Sequence, residues 1–186
     1  MKQKILLVII PVLLFFNGCS TMDIEKLSKT EPQFDLFKYF SGNTKAWGIF
    51  QGRGGELKRQ FTVDINGKIE GDEITLVEDF VYADGENSQR IWKIKKLPNN
   101  EYIGTAADVV GKAYGKSIGS AFNWKYTMVL PYKNSTVEVD FNDWMFLQPD
   151  NILINKEFLS ITTKPSFPIN IIFKCQNIFL GIKLWP

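Results

Sequence analysis

Apolar and polar residues alternate along most of the chain from Ala46 onward, which is the period of a β-strand with one buried face. The segment Leu57–Ile65 is an example, and its apolar face comprises Leu57, Phe61, Val63 and Ile65. The same alternation predicts further strands at Ile74–Tyr82, Arg90–Lys95, Trp124–Leu130, Val137–Leu147 and Ile152–Asn155. The body of the chain is therefore predicted to be a succession of strands.

Turn-forming residues separate these segments, at Gly52–Gly55, Asn66-Gly67, Ala83–Gly85, Pro98–Asn100, Lys133-Asn134 and Pro149–Asn151. The Asn66-Gly67 pair predicts a tight hairpin turn, because such a turn needs positive φ at its two central positions and asparagine and glycine both tolerate it. Short turns without crossover helices indicate an antiparallel meander. We expect an all-β fold in which the meander closes into a lipocalin-like barrel or forms a strongly curved sheet, where about eight to ten strands leave room for one small ligand. Asp35–Phe40 predicts one short helix, which would plug an end of the barrel.

The N-terminus has the features of an export signal, since two lysines precede the apolar run Ile5–Phe16. This run is shorter than the about 20 apolar residues that a membrane-spanning helix needs. Gly18-Cys19 resembles the lipobox of bacterial lipoproteins, which implies cleavage after residue 18 and a lipid on Cys19. By the same resemblance, Ser20 implies sorting to the outer membrane, on its periplasmic face. The alternative is an ordinary signal peptide that contains a cysteine.

The charge balance of the chain bears on whether it binds nucleic acid. The chain has 22 lysines and arginines against 20 acidic residues, and removing Lys2 and Lys4 with the signal leaves 20 against 20. A neutral balance predicts no nucleic-acid partner. The predicted organisation is a signal peptide at residues 1–18, a polar tether at 19–33, a barrel domain at 34–160, and an atypical last strand and apolar tail at 161–186. Within that tail, Ile169–Phe173 is the candidate strand.

Candidate catalytic chemistry is sparse in this sequence. There is no histidine, which excludes histidine-based nucleophile pairs and histidine-ligated metal sites. With Cys19 lipidated, Cys175 is left alone, so no internal disulfide is expected. Two nearby acid pairs, Glu78 with Asp79 and Asp140 with Asp143, have members on opposite strand faces and cannot flank one bond. We therefore predict a non-enzymatic protein without a metal or cofactor.

Residues 109–117 superficially resemble a phosphate-binding loop. Gly111 and Gly115 are separated by three residues, whereas that motif needs four, and no strand–loop–helix unit surrounds them. No nucleotide partner is therefore predicted. Glycines among strands usually mark bends, so this segment predicts a bent hairpin or, alternatively, a lid over the barrel mouth.

Four charged residues fall on the apolar faces of predicted strands. They are Arg59, Glu78, Arg90 and Asp143. Buried charges must be paired. One interpretation is therefore that these residues form an internal salt-bridge network or lie at a solvated rim, with Arg59 and Asp143 as the candidate pair. The other interpretation is a polar anchor in a ligand cavity, where Arg59 and Arg90 hold a carboxylate or phosphate.

Several blocks of sequence carry a resemblance to a known family. They are Lys45–Gln51, Arg59–Asp64, Glu78–Gly85, Gly104–Gly111 and Asp140–Met145. These blocks resemble an uncharacterised family of Gram-negative bacterial lipoproteins, domain of unknown function 3833, lipocalin-like in character. The resemblance runs from about Phe34 to Asn155 and implies a lipid-anchored β-domain, without a reaction or an established ligand. The chain departs from the family pattern from Phe158 onward.

Two functions remain open from the sequence. The first is binding of a lipid or other amphiphile in the barrel cavity of a lipid-anchored envelope protein. The alternative is a structural or envelope-assembly protein that binds another protein through exposed aromatic residues. Trp47, Trp144 and Phe146 are the candidates for such a surface, because aromatic residues dominate interface hot spots.

Overall fold

The computed structural model describes residues 22–51, 56–132, 134–161 and 178–183. Ten strands make up most of this part of the chain: β1 Gly42–Gln51, β2 Leu57–Glu70, β3 Glu73–Tyr82, β4 Asn87–Leu97, β5 Glu101–Thr105, β6 Ala113–Ile118, β7 Ala121–Tyr132, β8 Ser135–Leu147, β9 Ile152–Ile161 and β10 Ile178–Lys183. The helical elements are α1 Leu36–Phe40 and 3₁₀ turns at Ile24–Leu27, Pro98–Asn100 and Pro149–Asn151. None of these helical elements has the length or apolar character of a transmembrane helix.

The strands form one antiparallel meander. Each strand from β1 to β9 pairs with the next along the chain, which curls the sheet strongly. β10 pairs antiparallel with both β9 and β1 and closes the barrel. The all-β meander predicted from the alternation is therefore confirmed. The predicted strand Ile169–Phe173 and the predicted turn Gly52–Gly55 lie outside the described residues.

One end of the barrel is plugged by the segment that contains α1. The Asp35 carboxylate caps this helix and accepts hydrogen bonds from the backbone N–H groups of Phe37 and Lys38. A five-residue helix is not stable alone, so packing must hold it in place. Four of its five residues are buried, and Phe34, just before the helix, packs against Phe122 of β7. The predicted short helix and its plugging role are confirmed, and the plugged end is called the closed end.

The prediction of a hairpin turn at Asn66-Gly67 is wrong. Both residues lie inside β2, where they pair with β1 on one side and β3 on the other. The turn comes later, at Gly71, whose φ of 64° favours glycine. Gly67 has another role, because a side chain there would overlap the backbone carbonyl of Phe40. The glycine therefore lets the C-terminal end of α1 lie directly on β2.

The start of β2 also differs from its predicted face. Leu57 is exposed, although it shares the alternation of Phe61 and Val63. The pairing with β1 is irregular here, since Phe50 faces Arg59 and Gln51 faces Leu57. This bulge reverses the side of the sheet to which Leu57 belongs.

Part of the segment predicted as a polar tether lies against the closed end. The hydroxyl of Thr30 accepts a hydrogen bond from the backbone N–H of Ser120, and the N–H of Phe34 donates to the Gly119 carbonyl. Lys116 of β6 forms an ion pair with Glu25. Residues 25–34 are thus held on the barrel, close to the turn between β6 and β7.

The glycine-containing segment between β5 and β6 lies along β7. Val109 forms an isolated antiparallel bridge with Met128, and Val110 donates a backbone hydrogen bond to Thr127. Residues 106–112 are called the β5–β6 loop. These contacts fix the loop at the end opposite α1 and direct one acidic residue, Asp108, toward the strand that carries Arg90.

Candidate functional site

The barrel encloses a cavity of about 260 Å³. Leu36 and Phe40 of α1 lie at its closed end. At the other end, which is called the mouth, aromatic and aliphatic side chains from five strands contribute to the lining: Phe50, Phe61, Phe80, Tyr82, Leu130 and Phe141. The lining is therefore mostly apolar, as ligand cavities usually are.

A ring of polar side chains interrupts this lining halfway along the strands. It comprises Glu78, Arg90, Tyr126, Asp143, Asn155 and Glu157 and is called the polar belt. The period of two explains the position of its members, since each alternates with apolar residues that also face the cavity. On β3, for example, Leu76 lies on the side of Glu78 toward the closed end and Phe80 lies on the side toward the mouth. Three of the four charges predicted to point inward, Glu78, Arg90 and Asp143, are thus brought together in one cavity.

Asp143 and Glu157 form the buried centre of the belt. They are direct partners in the pairing of β8 with β9, and both are buried. The Tyr126 hydroxyl lies 3.0 Å from Asp143 Oδ2 and 3.4 Å from Glu157 Oε1. A hydrogen bond between the two carboxyl groups requires that at least one holds a proton.

Burial changes the acidity of this pair. It raises the pKa of Asp143 well above its usual range, and the neighbouring Glu157 charge raises it further. Burial also raises the pKa of Glu157 to about 7, although its hydrogen bond with Asp143 and the charge of Arg90 oppose the increase. The pair therefore tends to retain a proton at neutral pH.

The opposite wall of the belt is formed by Glu78 and Arg90. These residues are cross-strand partners on β3 and β4, and Arg90 Nε lies 3.0 Å from Asp108 Oδ2 of the β5–β6 loop. Burial raises the pKa of Glu78 to about 7, although the positive charge of Arg90 opposes this shift. Arg90 is therefore already balanced by protein carboxylates and is not a free anion-binding group.

Arg59 does not belong to the belt. Its guanidinium donates hydrogen bonds to Asp84 and Glu86 in and beside the β3–β4 turn, at 2.7 and 2.6 Å from Nε and Nη2. Its Cζ lies 3.5 Å from the centre of the Tyr82 ring. The proposed pairing of Arg59 with Asp143 is therefore wrong. Arg59 shares the inward face but lies too near the end of β2, so it bends over the rim toward the turn.

Sequence reasoning missed three belt residues and Asp108. Asn155 and Glu157 continue the alternation of β9 between Leu153 and Leu159, so extending the predicted strand by a few residues would have found Glu157. Tyr126 lies in a predicted strand, but an aromatic residue on an apolar strand face does not by itself indicate a polar site. Asp108 lies in a loop, where no periodicity predicts the direction of a side chain.

Two acceptors of the belt lack a hydrogen-bond donor in the part of the chain that the structure describes. Asp143 Oδ1 and Asn155 Oδ1 are buried and receive no hydrogen bond from the described residues, and both residues line the cavity. In the described part of the chain, no group of three or more aspartate, glutamate, histidine or cysteine side chains is arranged to hold a metal ion. The arrangement is suited to accept hydrogen bonds from a group that enters the cavity.

The three aromatic residues considered for a protein-binding surface do not form one group of exposed side chains. Trp47 is 42% exposed on β1, whereas Trp144 is only 4% exposed. Phe146 is half-buried and stacks on Trp144 with ring centres 6.2 Å apart. Only Trp47 therefore remains as an exposed member of the predicted surface.

Comparisons with known proteins add a family but no activity. The sequence model of a family described as Protein of unknown function (DUF3833) matches residues 13–162, which is most of the chain. No curated protein matches the chain, and no solved structure matches it either.

Proposed function

The chain belongs to the DUF3833 family, and we propose that it is a non-catalytic binding protein that takes an amphiphile into its barrel from a lipid-anchored position at the outer membrane. The observation that carries this proposal is the cavity, which combines an apolar lining with a single polar belt. Such a lining fits a ligand that has both an apolar body and a polar group.

The size of the cavity restricts the part of the ligand that it can hold. An apolar protein cavity of about 150 Å³ is large enough for benzene, so about 260 Å³ accommodates a somewhat larger body. A long acyl chain would not fit entirely inside. An amphiphile of that length would therefore extend through the mouth, between Phe50, Tyr82 and Leu130.

The polar group of the ligand is not held in the way predicted from the sequence. Arg59 is engaged at the rim, and Arg90 is balanced by Asp108 and Glu78. The expected clamp of two arginines around a carboxylate or phosphate is therefore not available. The ligand-binding role of Glu78, Arg90 and Asp143 remains part of the proposal through the belt instead.

Leu130→Trp tests whether the cavity is the binding site. Leu130 lines the mouth, so an indole there should obstruct entry, and we expect most of the copurifying amphiphile to be lost. Val129→Trp is the matched control, because Val129 is the neighbouring residue and is exposed on the outer face of β7. The measurement is mass spectrometry of solvent extracts from the full-length proteins after purification from membranes. Equal extracts from both variants, or no small molecule from the unaltered protein, would contradict the proposal.

The lipid anchor is tested separately at Cys19, which lies outside the described residues. Several acyl chains give nearly permanent membrane attachment, since each buried methylene contributes about 0.8 kcal/mol. We therefore expect Cys19→Ser to shift the protein from the outer-membrane fraction to the soluble fraction, or to retain it with an uncleaved signal. Fractionation with immunodetection measures this shift. If the variant fractionates with the outer membrane as the unaltered chain does, Cys19 is not the anchor.

A further inference from the structure

The polar belt has a charge and hydrogen-bonding pattern that favours one kind of ligand group. Among the residues that the structure describes, four carboxyl groups surround it, from Glu78, Asp108, Asp143 and Glu157, and the opposing cation is Arg90. The other polar side chains that face the cavity are Tyr126 and Asn155. The described part of the site therefore has more acidic groups than basic ones.

Two buried acceptors on the β8–β9 side have no hydrogen-bond donor among the residues that the structure describes. Asp143 and Asn155 are each 4% exposed, and one side-chain oxygen of each receives no hydrogen bond. A buried acceptor that is left unsatisfied destabilises the folded protein. The proton held by the Asp143–Glu157 pair reduces this deficit only in part, because it cannot also serve Asn155.

We propose, on the basis of the binding function above, that the polar belt is a site for a protonated primary amine carried on a small apolar body. An ammonium group has three N–H donors and no acceptor, which complements Asp143, Asn155 and Glu157. Its positive charge is opposed by Arg90 only from the far wall, where Arg90 is paired with Asp108. A carboxylate or phosphate would instead add negative charge to a site where acidic groups already outnumber the one arginine, so the belt discriminates against anions.

The protonation of the belt makes amine binding dependent on pH. An ammonium ion at the belt competes with the protons held there, so its binding releases protons. Glu78 and Glu157 have pKa values of about 7, and the affinity should increase as pH rises toward 8. The increase is at most about tenfold per pH unit for each proton released. A neutral ligand of the same size should show little of this dependence.

The test uses three single-ring probes that differ only in their polar group. Fluorobenzylamine, fluorobenzyl alcohol and fluorobenzoate are titrated by fluorine NMR into the full-length chain in lipid nanodiscs, with empty nanodiscs as the blank. At about pH 8 we expect the amine to bind at least about tenfold more tightly than the benzoate, a difference of about 1.4 kcal/mol. We also expect the affinity of the amine, but not of the alcohol, to fall between pH 8 and pH 6.

Asp143→Asn then locates the site, because it removes the central acidic group with little change of shape. We expect the amine to bind at least about tenfold more weakly to this variant. Glu138→Gln is the matched control, since Glu138 is an exposed acid on the same strand, and it should bind the amine normally. The probe ranking and the pH profile of the unaltered chain need no variant, so they decide the question even if Asp143→Asn does not fold.

The outcomes separate this inference from the binding function. Benzoate binding that equals or exceeds amine binding would overturn the amine site while leaving a cavity that binds ligands. Failure of all three probes would also overturn the amine site, whereas the cavity function would still be judged by the extracts of Leu130→Trp and Val129→Trp. An unchanged amine affinity in Asp143→Asn would show that the amine binds elsewhere.

Discussion

Glu157→Gln is expected to raise the free energy of unfolding at about pH 8 by about 2 kcal/mol, although it removes a buried hydrogen-bonding carboxylate. Burial raises the pKa of Glu157 from 4.5 to about 7. At pH values above both of these pKa values, this shift means that the ionised side chain lowers the free energy of unfolding by on the order of 3 kcal/mol. Glutamine keeps the shape and polar atoms of the side chain without its charge. Most of the penalty should therefore disappear in the variant.

The effect should depend on pH in a defined direction. Between pH 4.5 and about 7, the Glu157 carboxyl group has lost its proton in the unfolded chain but keeps it in the folded protein. The free energy of unfolding therefore falls as pH rises. Glu78 and Asp143 act in the same direction. At about pH 4.5 the Glu157 side chain is mostly protonated in the folded protein, and Glu157→Gln should then be nearly neutral.

Urea unfolding followed by tryptophan fluorescence at pH 4.5 and pH 8 measures this difference. Glu138→Gln serves again as the control, because an exposed acid should change stability by no more than about 0.5 kcal/mol at either pH. A Glu157→Gln variant that is less stable than the unaltered chain at pH 8 would show that Glu157 is a net stabilising ion-pair partner. The expected gain instead means that the chain retains the belt at a cost to stability, which is common for binding sites.

Gly67→Ala is expected to lower the free energy of unfolding by about 2–3 kcal/mol, the upper part of the usual range for overpacking. The added methyl group would overlap the backbone carbonyl of Phe40, and a backbone group cannot move aside as a flexible side chain does. The displacement should therefore undock α1 from β2. Hydrogen exchange should show this as faster exchange of the Tyr39 amide, which donates to the Asp35 carbonyl.

Asn66→Ala is the control for this variant, since Asn66 is the adjacent exposed residue of the same strand. It should lower stability by no more than about 1 kcal/mol, the usual net contribution of a hydrogen bond such as the exposed one that its side chain donates to Asn43. The comparison also distinguishes the observed strand from the turn suggested by the sequence. In a tight turn with positive φ at both positions, both substitutions would be destabilising.

The fold was largely predictable because one period governs it. Alternation locates strands and assigns faces, so Glu78, Arg90 and Asp143 were correctly predicted to point inward. Alternation does not report how far along the barrel axis a residue lies. Arg59 has the same phase as Phe61, but its position near the rim places it beside Asp84 and outside the cavity.

Local sequence signals failed where a contact between distant segments replaced them. Asn66-Gly67 has the composition of a turn, but its glycine is required by α1, which lies far away in the sequence. Asp108 likewise lies beside the cavity because it forms an ion pair with Arg90, which belongs to another element. Neither contact has a local pattern, so neither could be read from a single sequence.

The docking of residues 25–34 near the turn between β6 and β7 has a consequence for how the barrel would stand on a membrane. Only a few residues separate Cys19 from this segment, and an extended chain spans at most about 3.6 Å per residue. With a lipid on Cys19, the closed end would therefore rest near the bilayer and the mouth would point away from it. Neutron reflectometry on supported bilayers would determine this orientation. A ligand would then enter the mouth from the aqueous side. The barrel would therefore exchange its ligand with soluble partners, or with the membrane on the opposite side of the compartment, and would not extract it from the membrane to which it is anchored.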